Sequence, residues 1–539
     1  VKNLKKPKMH RLSKSERLWA IALFILSAFA YLLNIGLLPL RIDESIRTTI
    51  AIEMMNSGDY IKPTMWGRFY YSKPPLFNWI VIGFWQLFDE VSLFAYRLPS
   101  VLSFLGIAVV TWFVSRKHIG ERAAVMAAFG FLLSSTVVIR GSMFGYIDPM
   151  LSMVTLMGFY TVFHFHQKKQ YWPLFLLSYL LAAIGVMLKG APTLLFQALT
   201  LSAWVLYKRD FRSLFRPAHF AGIGLFILIV GSYFYVYSMQ NDVANYAAGL
   251  EKQVALRTPA HHTWYETLFY YIIFPFENFG MLLPTSLFTI VAMRKGMLKR
   301  WLKNDFLAFT LMVICVNIIP YWLSPGYRFR YLMMLYPLWF MLGAEAYYNI
   351  QDAEKMKQWI NRAFLLIGLL LIPLFVYWYF FQLQETGIEE TIWLIALSLA
   401  AATGLFLWFR NKTHRVYLSF MFIILFRIGY DVGFIPQWSS DEKNIEVYKR
   451  TQAGRILEAA DGRPIRVFGK TPMSRSYAFY LGSGQQNIIK RSTEKDTNYV
   501  YLITDTRLPM IKNYEYDILY EYDLRFKTYV VYLVDFKEK

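Results

Sequence analysis

Cysteine is almost missing from this chain. Cys315 is the only thiol in 539 residues, so no internal disulfide can form, and cysteine usage says nothing about the compartment. Acidic residues are scarce, 36 against 57 Lys and Arg. The sequence holds no Gly-rich phosphate loop and no dinucleotide-binding fingerprint, which leaves a nucleotide-sugar donor unsupported. Internal repeats and low-complexity tracts are lacking too. No cleavable signal is evident: the basic stretch Lys2–Arg17 runs into an apolar segment too long for a signal core.

Apolar surface is what the chain has in excess. Hydrophobic residues make up 56% of it and aromatics 18%, with a mean hydropathy of +0.33, more than a soluble protein of this size needs. Uncharged runs such as 18–38, 98–114 and 364–381 are long enough to cross a bilayer. The expected fold is a polytopic α-helical membrane protein. Its net charge of +21 follows from Lys and Arg gathered in cytoplasmic loops, with a share left to attract anionic lipid; no nucleic-acid partner is called for.

Charge sets the threading. Lys2, Lys5, Lys6, Lys8, Arg11, Lys14 and Arg17 precede the first span and put the N-terminus inside. The apolar piece 75–88 follows two prolines and is too short to cross. Read as a helix lying on the outer surface, it keeps Arg116, Lys117 and Arg122 inside. Spans are then expected near 18–38, 97–115, 123–140, 149–166, 171–187, 191–207, 218–238, within 264–293, and near 306–323, 331–349, 363–382, 391–409 and 416–436. Pro275 and Gly280 are expected to break the long piece 264–293. This makes about thirteen spans, an odd number, so the C-terminus is outside. Domain one is then 1–436, with a first outer loop at 39–96 carrying interfacial helices, and domain two is a small soluble α/β domain at 437–539. Strands are expected at 465–468, 499–503 and 529–534 and a helix at 475–481.

With this threading the isolated acids, bases and histidines face outwards. Asp43 and Glu44 open the first outer loop, followed by Arg47. On the residues alone Asp43 reads equally as a helix N-cap and as a catalytic carboxylate. Lys73 stands before Pro74 and Pro75, which stiffen the backbone beneath its ammonium. Asp148 lies at the mouth of a span before Pro149, and ionisable groups at membrane depth are costly and usually functional; an N-cap role is compatible with that. Lys189, before Gly190, is a snorkelling lysine or a phosphate ligand. Arg328 and Arg330 sit in a basic aromatic turn with Tyr331 and suit bidentate phosphate contact. His261 and His262 are adjacent, which is not the i,i+4 spacing of a two-histidine metal motif. Two carboxylates and several cations on one face imply transfer from a membrane-soluble phosphate ester, cations stabilising the leaving phosphate and a carboxylate orienting or deprotonating the nucleophile.

These residues resemble a known family. Asp43-Glu44, then Gly58 to Pro63, then Tyr71-Ser72-Lys73-Pro74-Pro75-Leu76 are similar to the first outer loop of bacterial lipid-linked-sugar transferases of the GT-C class, which include the aminoarabinose transferases of lipid A and protein-mannosyltransferase-like enzymes. The likeness continues through Arg97-Leu98-Pro99-Ser100, Asp148, Lys189-Gly190 and Tyr331 to Pro337. It implies inverting transfer of a sugar from a polyprenyl phosphate, usually undecaprenyl phosphate, to a lipid or glycan acceptor at the periplasmic face of a bacterial inner membrane. It implies that Asp43 and Asp148 are the acidic catalytic residues, and that Lys73, Lys189 and Tyr331 lie near the donor; Glu44, Arg47, Arg328 and His262, on the same outer face, are expected as further substrate contacts. No cofactor is firmly implied, though the pattern leaves room for a divalent metal with His261 or His262 as weak ligands. Two positions depart from the family. Ser72 stands where the aminoarabinose transferases carry a glutamate, and Ile46 where an arginine is usual, with Arg47 one residue later. These departures point to a different sugar or acceptor. The alternatives are a protein O-mannosyltransferase-like enzyme, or a flippase or transporter for a lipid-linked glycan.

Overall fold

Long uncharged runs become helices because a bilayer offers no partner for backbone amides and carbonyls, which must pair within their own segment. In the computed structural model, which describes residues 11–246, 248–249, 263–325, 328–350, 353–381, 388–525 and 529–537, every expected span is helical. The helices are Lys14–Leu32, Leu93–Ile119, Glu121–Leu132, Asp148–Gln167, Tyr171–Lys189, Pro192–Lys208, Pro217–Ser238, Trp264–Met281, Asp305–Trp322, Tyr336–Asn349, Glu354–Phe381, Ile388–Arg410 and Arg415–Gly433. Among the described residues eight are long and apolar enough to cross a membrane by themselves, or nine if the bent pair Glu121–Leu132 and Thr136–Met143 counts as one span. The protein is a polytopic helical membrane protein with a C-terminal β-sheet region.

The chain divides into two compact units. The first comprises Val1–Ile35, Leu98–Tyr235 and Ala248–Ile435; the second comprises Gly36–Arg97, Val236–Ala247 and Pro436–Lys539. The C-terminal residues therefore share a unit with the first loop, a grouping that the expected division near residue 437 does not contain.

In the first unit, small residues let helices approach closely. A Cβ on Gly343 would lie 2.9 Å from the Cα of Thr289, so the helix Tyr336–Asn349 packs directly on the 3-10 segment Thr285–Met293. The break in the long piece comes later than expected. Pro275 and Gly280 both lie within the helix Trp264–Met281, and the chain turns only at 282–284.

That break meets another. After Leu132 the backbone runs through π and 3-10 turns to Met143. The Ser135 amide donates to the Leu283 carbonyl at 2.7 Å, and the Ser135 and Thr136 hydroxyls donate to the Met281 carbonyl at 2.9 and 2.5 Å. Thr285 donates to the Gly130 carbonyl at 2.7 Å. Two irregular stretches thus satisfy each other where lipid could not. Arg427 completes the arrangement. It is buried, donates to Asp431 at 2.7 Å and to the Ser142 hydroxyl at 2.7 Å, and reaches the Val138 carbonyl.

The second unit joins a sheet to the first loop. β1 (Thr64–Met65) and β2 (Arg68–Phe69) form a short hairpin. The larger sheet holds β3 (Ile465–Phe468), β4 (Arg491–Ser492), β5 (Val500–Thr504), β6 (Tyr516–Asp523) and β7 (Val530–Phe536), in the order β4-β3-β5-β7-β6. β3 runs parallel to β4 and β5, whereas β7 is antiparallel to β5 and β6. The central β5 is buried along its whole length. The loop helix Ile42–Ser57 lies on the helix Arg475–Gln485: Thr49 donates to the Arg475 carbonyl at 3.2 Å and Asn56 to the Gly482 carbonyl at 3.3 Å. Glu53, on the same loop helix, accepts from the Trp66 amide at 2.6 Å, the Thr64 hydroxyl at 2.6 Å and the Gly67 amide at 3.2 Å. This carboxylate fixes the hairpin to the helix. The first loop is a folded element with its own buried polar anchors.

Candidate active site

In the second unit, neighbouring carboxylates have different surroundings. The helix Ile42–Ser57 is capped by Arg41, whose amide donates to Glu44 at 3.0 Å. Asp43 is therefore not the N-cap that its position suggests. It is the second helical residue, half-buried, where a negative charge is favoured by the helix dipole. Glu44 is fully buried and binds fully buried Arg97 through two bonds, 2.8 Å to Nε and 3.0 Å to Nη2. Arg97 also donates to the Pro39 carbonyl at 3.3 Å. The expectation that Glu44 touches substrate gives way to a different placement: with no exposed surface and both oxygens on Arg97, it holds the start of the loop helix. Arg47 is buried as well and donates to the Tyr70 hydroxyl at 2.6 Å, with its guanidinium 5.0 Å from the Tyr70 ring. Lys73 is half-buried and precedes buried Pro74 and Pro75.

In the first unit a second group forms at two helix ends and a turn. Asp148 begins the helix Asp148–Gln167, and Pro149 sets its first turn. Lys189 ends the helix Tyr171–Lys189. Gly190 follows at φ 98°, ψ −157°, a conformation that essentially only glycine adopts, and it turns the chain immediately after the lysine. The 3-10 turn Phe329–Leu332 brings in Arg330 and Tyr331.

These residues meet. Lys189 Nζ pairs with Asp148 Oδ1, and Arg330 Nε lies 3.4 Å from Asp148 Oδ2. All three side chains are nearly buried. Lys189 Nζ is 4.0 Å from the centre of the Tyr331 ring, and the Arg330 guanidinium is 4.5 Å from that of Tyr146. One carboxylate thus organises two cations between two aromatic rings. Buried charges persist when paired and held in fixed geometry, and such a pair of cations suits a phosphate oxygen better than a neutral group.

The expected residues fall on both sides of this picture. Asp148, Lys189 and Tyr331 come together. Arg328 is exposed and precedes the turn, and Arg330, two residues on, lies beside Asp148. Tyr146 was not singled out, although an aromatic two residues before Asp148 is the signal that could have marked it. His261 and His262 lie outside the described residues. Among the described residues no three His, Cys, Asp or Glu side chains gather as metal ligands.

Comparison with known proteins gives a consistent result. The family model for dolichyl-phosphate-mannose-protein mannosyltransferase matches residues 72–237. The undecaprenyl phosphate-alpha-4-amino-4-deoxy-L-arabinose arabinosyl transferase of Aeromonas salmonicida is 26% identical over 373 residues, covering 66% of this chain and 65% of that protein. The transferase of the same name from Edwardsiella ictaluri is 30% identical over 201 residues, 36% of each chain. The chain thus spans just under two thirds of the length of the first of these relatives and about a third of the second. The crystal structure of ArnT from Cupriavidus metallidurans bound to undecaprenyl phosphate superposes with a TM-score of 0.66 at 16% identity, over 97% of this chain and 98% of that one. Its apo form gives 0.67 at 14% identity. The chain thus shares the fold of ArnT, and its sequence is similar to those of the aminoarabinose transferases and, over residues 72–237, to the protein mannosyltransferase family.

Proposed function

We propose that this protein is an inverting glycosyltransferase that moves a sugar from a polyprenyl phosphate, with undecaprenyl phosphate as the carrier, to a lipid or glycan acceptor at the outer face of a bacterial inner membrane. The observation that carries this reading is Asp148 held between Lys189 and Arg330. Support also comes from the similarity to undecaprenyl phosphate-alpha-4-amino-4-deoxy-L-arabinose arabinosyl transferases.

In the proposed reaction the acceptor oxygen attacks the anomeric carbon opposite the phosphate. The bond from that carbon to the phosphate oxygen breaks, and its electron pair stays on the departing polyprenyl phosphate. Lys189 and Arg330 stabilise the charge that grows there, an effect that is strongest in a preorganised site with little water. Asp148 keeps both cations aimed, and Tyr331 lies against the lysine. Lys73 gives a further cation to the phosphate. Asp43 positions the acceptor and takes the proton when the acceptor is a hydroxyl. An ionised phosphate acceptor has no proton to lose, and Asp43 then acts by positioning alone.

The topology in this reading has about thirteen passes, with the N-terminus cytoplasmic and residues 437–539 as a periplasmic soluble domain. The match to the protein-mannosyltransferase family over residues 72–237 favours a protein acceptor as the second reading. Purified protein given a polyprenyl-phosphate sugar and envelope lipids tests the proposal. Cleavage with glycosylated lipid as product is expected. A glycosylated protein product selects the second reading, and movement of intact donor across vesicles without cleavage refutes both.

A further inference from the structure

A cavity lined by none of the candidate site residues above opens among three helices. It occupies the first unit and has a volume of about 530 Å³, within the usual range of roughly 300–1,000 Å³ for ligand cavities. Its walls come from the start of the helix Lys14–Leu32, the end of Leu93–Ile119 and the start of Glu121–Leu132.

Polarity is segregated along it. Arg17, Arg116 and Glu121 line one end, and Phe24, Val109 and Phe129 line the rest. The separations 17 to 24, 109 to 116 and 121 to 129 each correspond to about 10–12 Å of helix. The cavity is therefore an apolar slot, roughly two helical turns deep, with a charged mouth. Glu121 faces Arg17 at 3.7 Å and accepts from the Leu12 amide at 2.9 Å. Arg122 pairs with Glu16 at 2.8 Å and leaves the other groups at the mouth alone. Arg116 lies 4.3 Å from the Trp112 ring and 5.0 Å from that of Phe113, and no carboxylate pairs with it among the described residues. The mouth thus has two guanidinium groups to one carboxylate, and exposed Lys14 and Lys117 flank it.

We infer that this slot binds an anionic phospholipid of the bilayer, with one acyl chain in the apolar part and the phosphate at Arg17 and Arg116. The apolar wall selects a hydrocarbon tail, and the excess of cations at its end selects a negative head. A zwitterionic lipid would set its own cation against the two arginines. The basic first segment places this mouth on the cytoplasmic side, so the bound lipid belongs to the leaflet opposite the proposed chemistry. The inference does not rest on the transferase reading.

Native mass spectrometry of the full-length protein, titrated with phosphatidylglycerol and with phosphatidylcholine of the same chains, tests it. Wild type is expected to bind phosphatidylglycerol more tightly. Each neutralised arginine should weaken that binding about fivefold, the effect of one basic side chain at an anionic surface, so R17Q/R116Q should lose about 25-fold. R17K/R116K should retain most of the affinity, and V109W, which fills the slot, should weaken both lipids. Unfolding midpoints confirm that each variant is folded. Equal binding of the two lipids by wild type, or unchanged phosphatidylglycerol affinity in R17Q/R116Q, overturns the inference.

Discussion

Asp43 and Glu44 are adjacent acids with different fates, and substitution separates them. Replacing Glu44 with Gln leaves buried Arg97 without its ionic partner, and breaking such a pair costs about 3–5 kcal/mol. A large drop in the unfolding midpoint of Glu44→Gln is expected. Asp43→Asn keeps the side chain's shape and weakens a favourable charge in a first helical turn, about 0.3–1 kcal/mol, so it is expected to fold. At the other group, Lys189→Gln and Arg330→Gln should each lower kcat by about 10²–10³, while Arg328→Gln, at an exposed side chain, should have a smaller effect. Initial rates with saturating donor check all three. Sequence alone could not rank these residues. Arg328 and Arg330 are both basic and aromatic-flanked, and it is the 3-10 turn at 329–332 that places Arg330 beside Asp148. Glu44 resembled a substrate ligand because burial of a carboxylate depends on a partner 53 residues away.

At the scale of elements, broken helices hold the interior together. Arg427 supplies donors to carbonyl and hydroxyl groups of the irregular stretch 136–143. Arg427→Met should destabilise the protein by about 3–5 kcal/mol through its orphaned partner Asp431, read as a lower midpoint in detergent. Gly190→Ala forces a side chain into a glycine conformation at a cost of about 1–3 kcal/mol. It should also weaken turnover, because Lys189 precedes it directly. Helical segments were legible in the sequence because long apolar runs have few other outcomes in lipid. The break at 282–284 was misplaced at Pro275 and Gly280, since neighbouring chains decide where a transmembrane helix can open. The strand Tyr516–Asp523 went unrecognised. It lies at the edge of the sheet, is largely exposed and carries three acids among its eight residues, so it lacks the apolar signature of β3, β5 and β7.

For the whole molecule, the pattern of Lys and Arg predicts an orientation that labelling can check. With Cys315 replaced by Ser, single cysteines at Lys117 and Lys412 should react only after the membrane is opened, whereas one at Asp59 should react in intact spheroplasts. Equal reactivity at Asp59 and Lys117 from the outside would contradict the threading. The sequence also suggested a separate domain beginning near residue 437. The grouping of the C-terminal sheet with the first loop was hidden because it rests on contacts such as Thr49 to Arg475, 426 residues apart. Release of polyprenyl phosphate from labelled polyprenyl-phosphate sugar, followed in one turnover with wild type and Asp43→Asn at saturating donor and acceptor, tests the central claim most directly. Rapid release by wild type and none by the folded variant is the predicted result; near-normal release by Asp43→Asn would contradict the account.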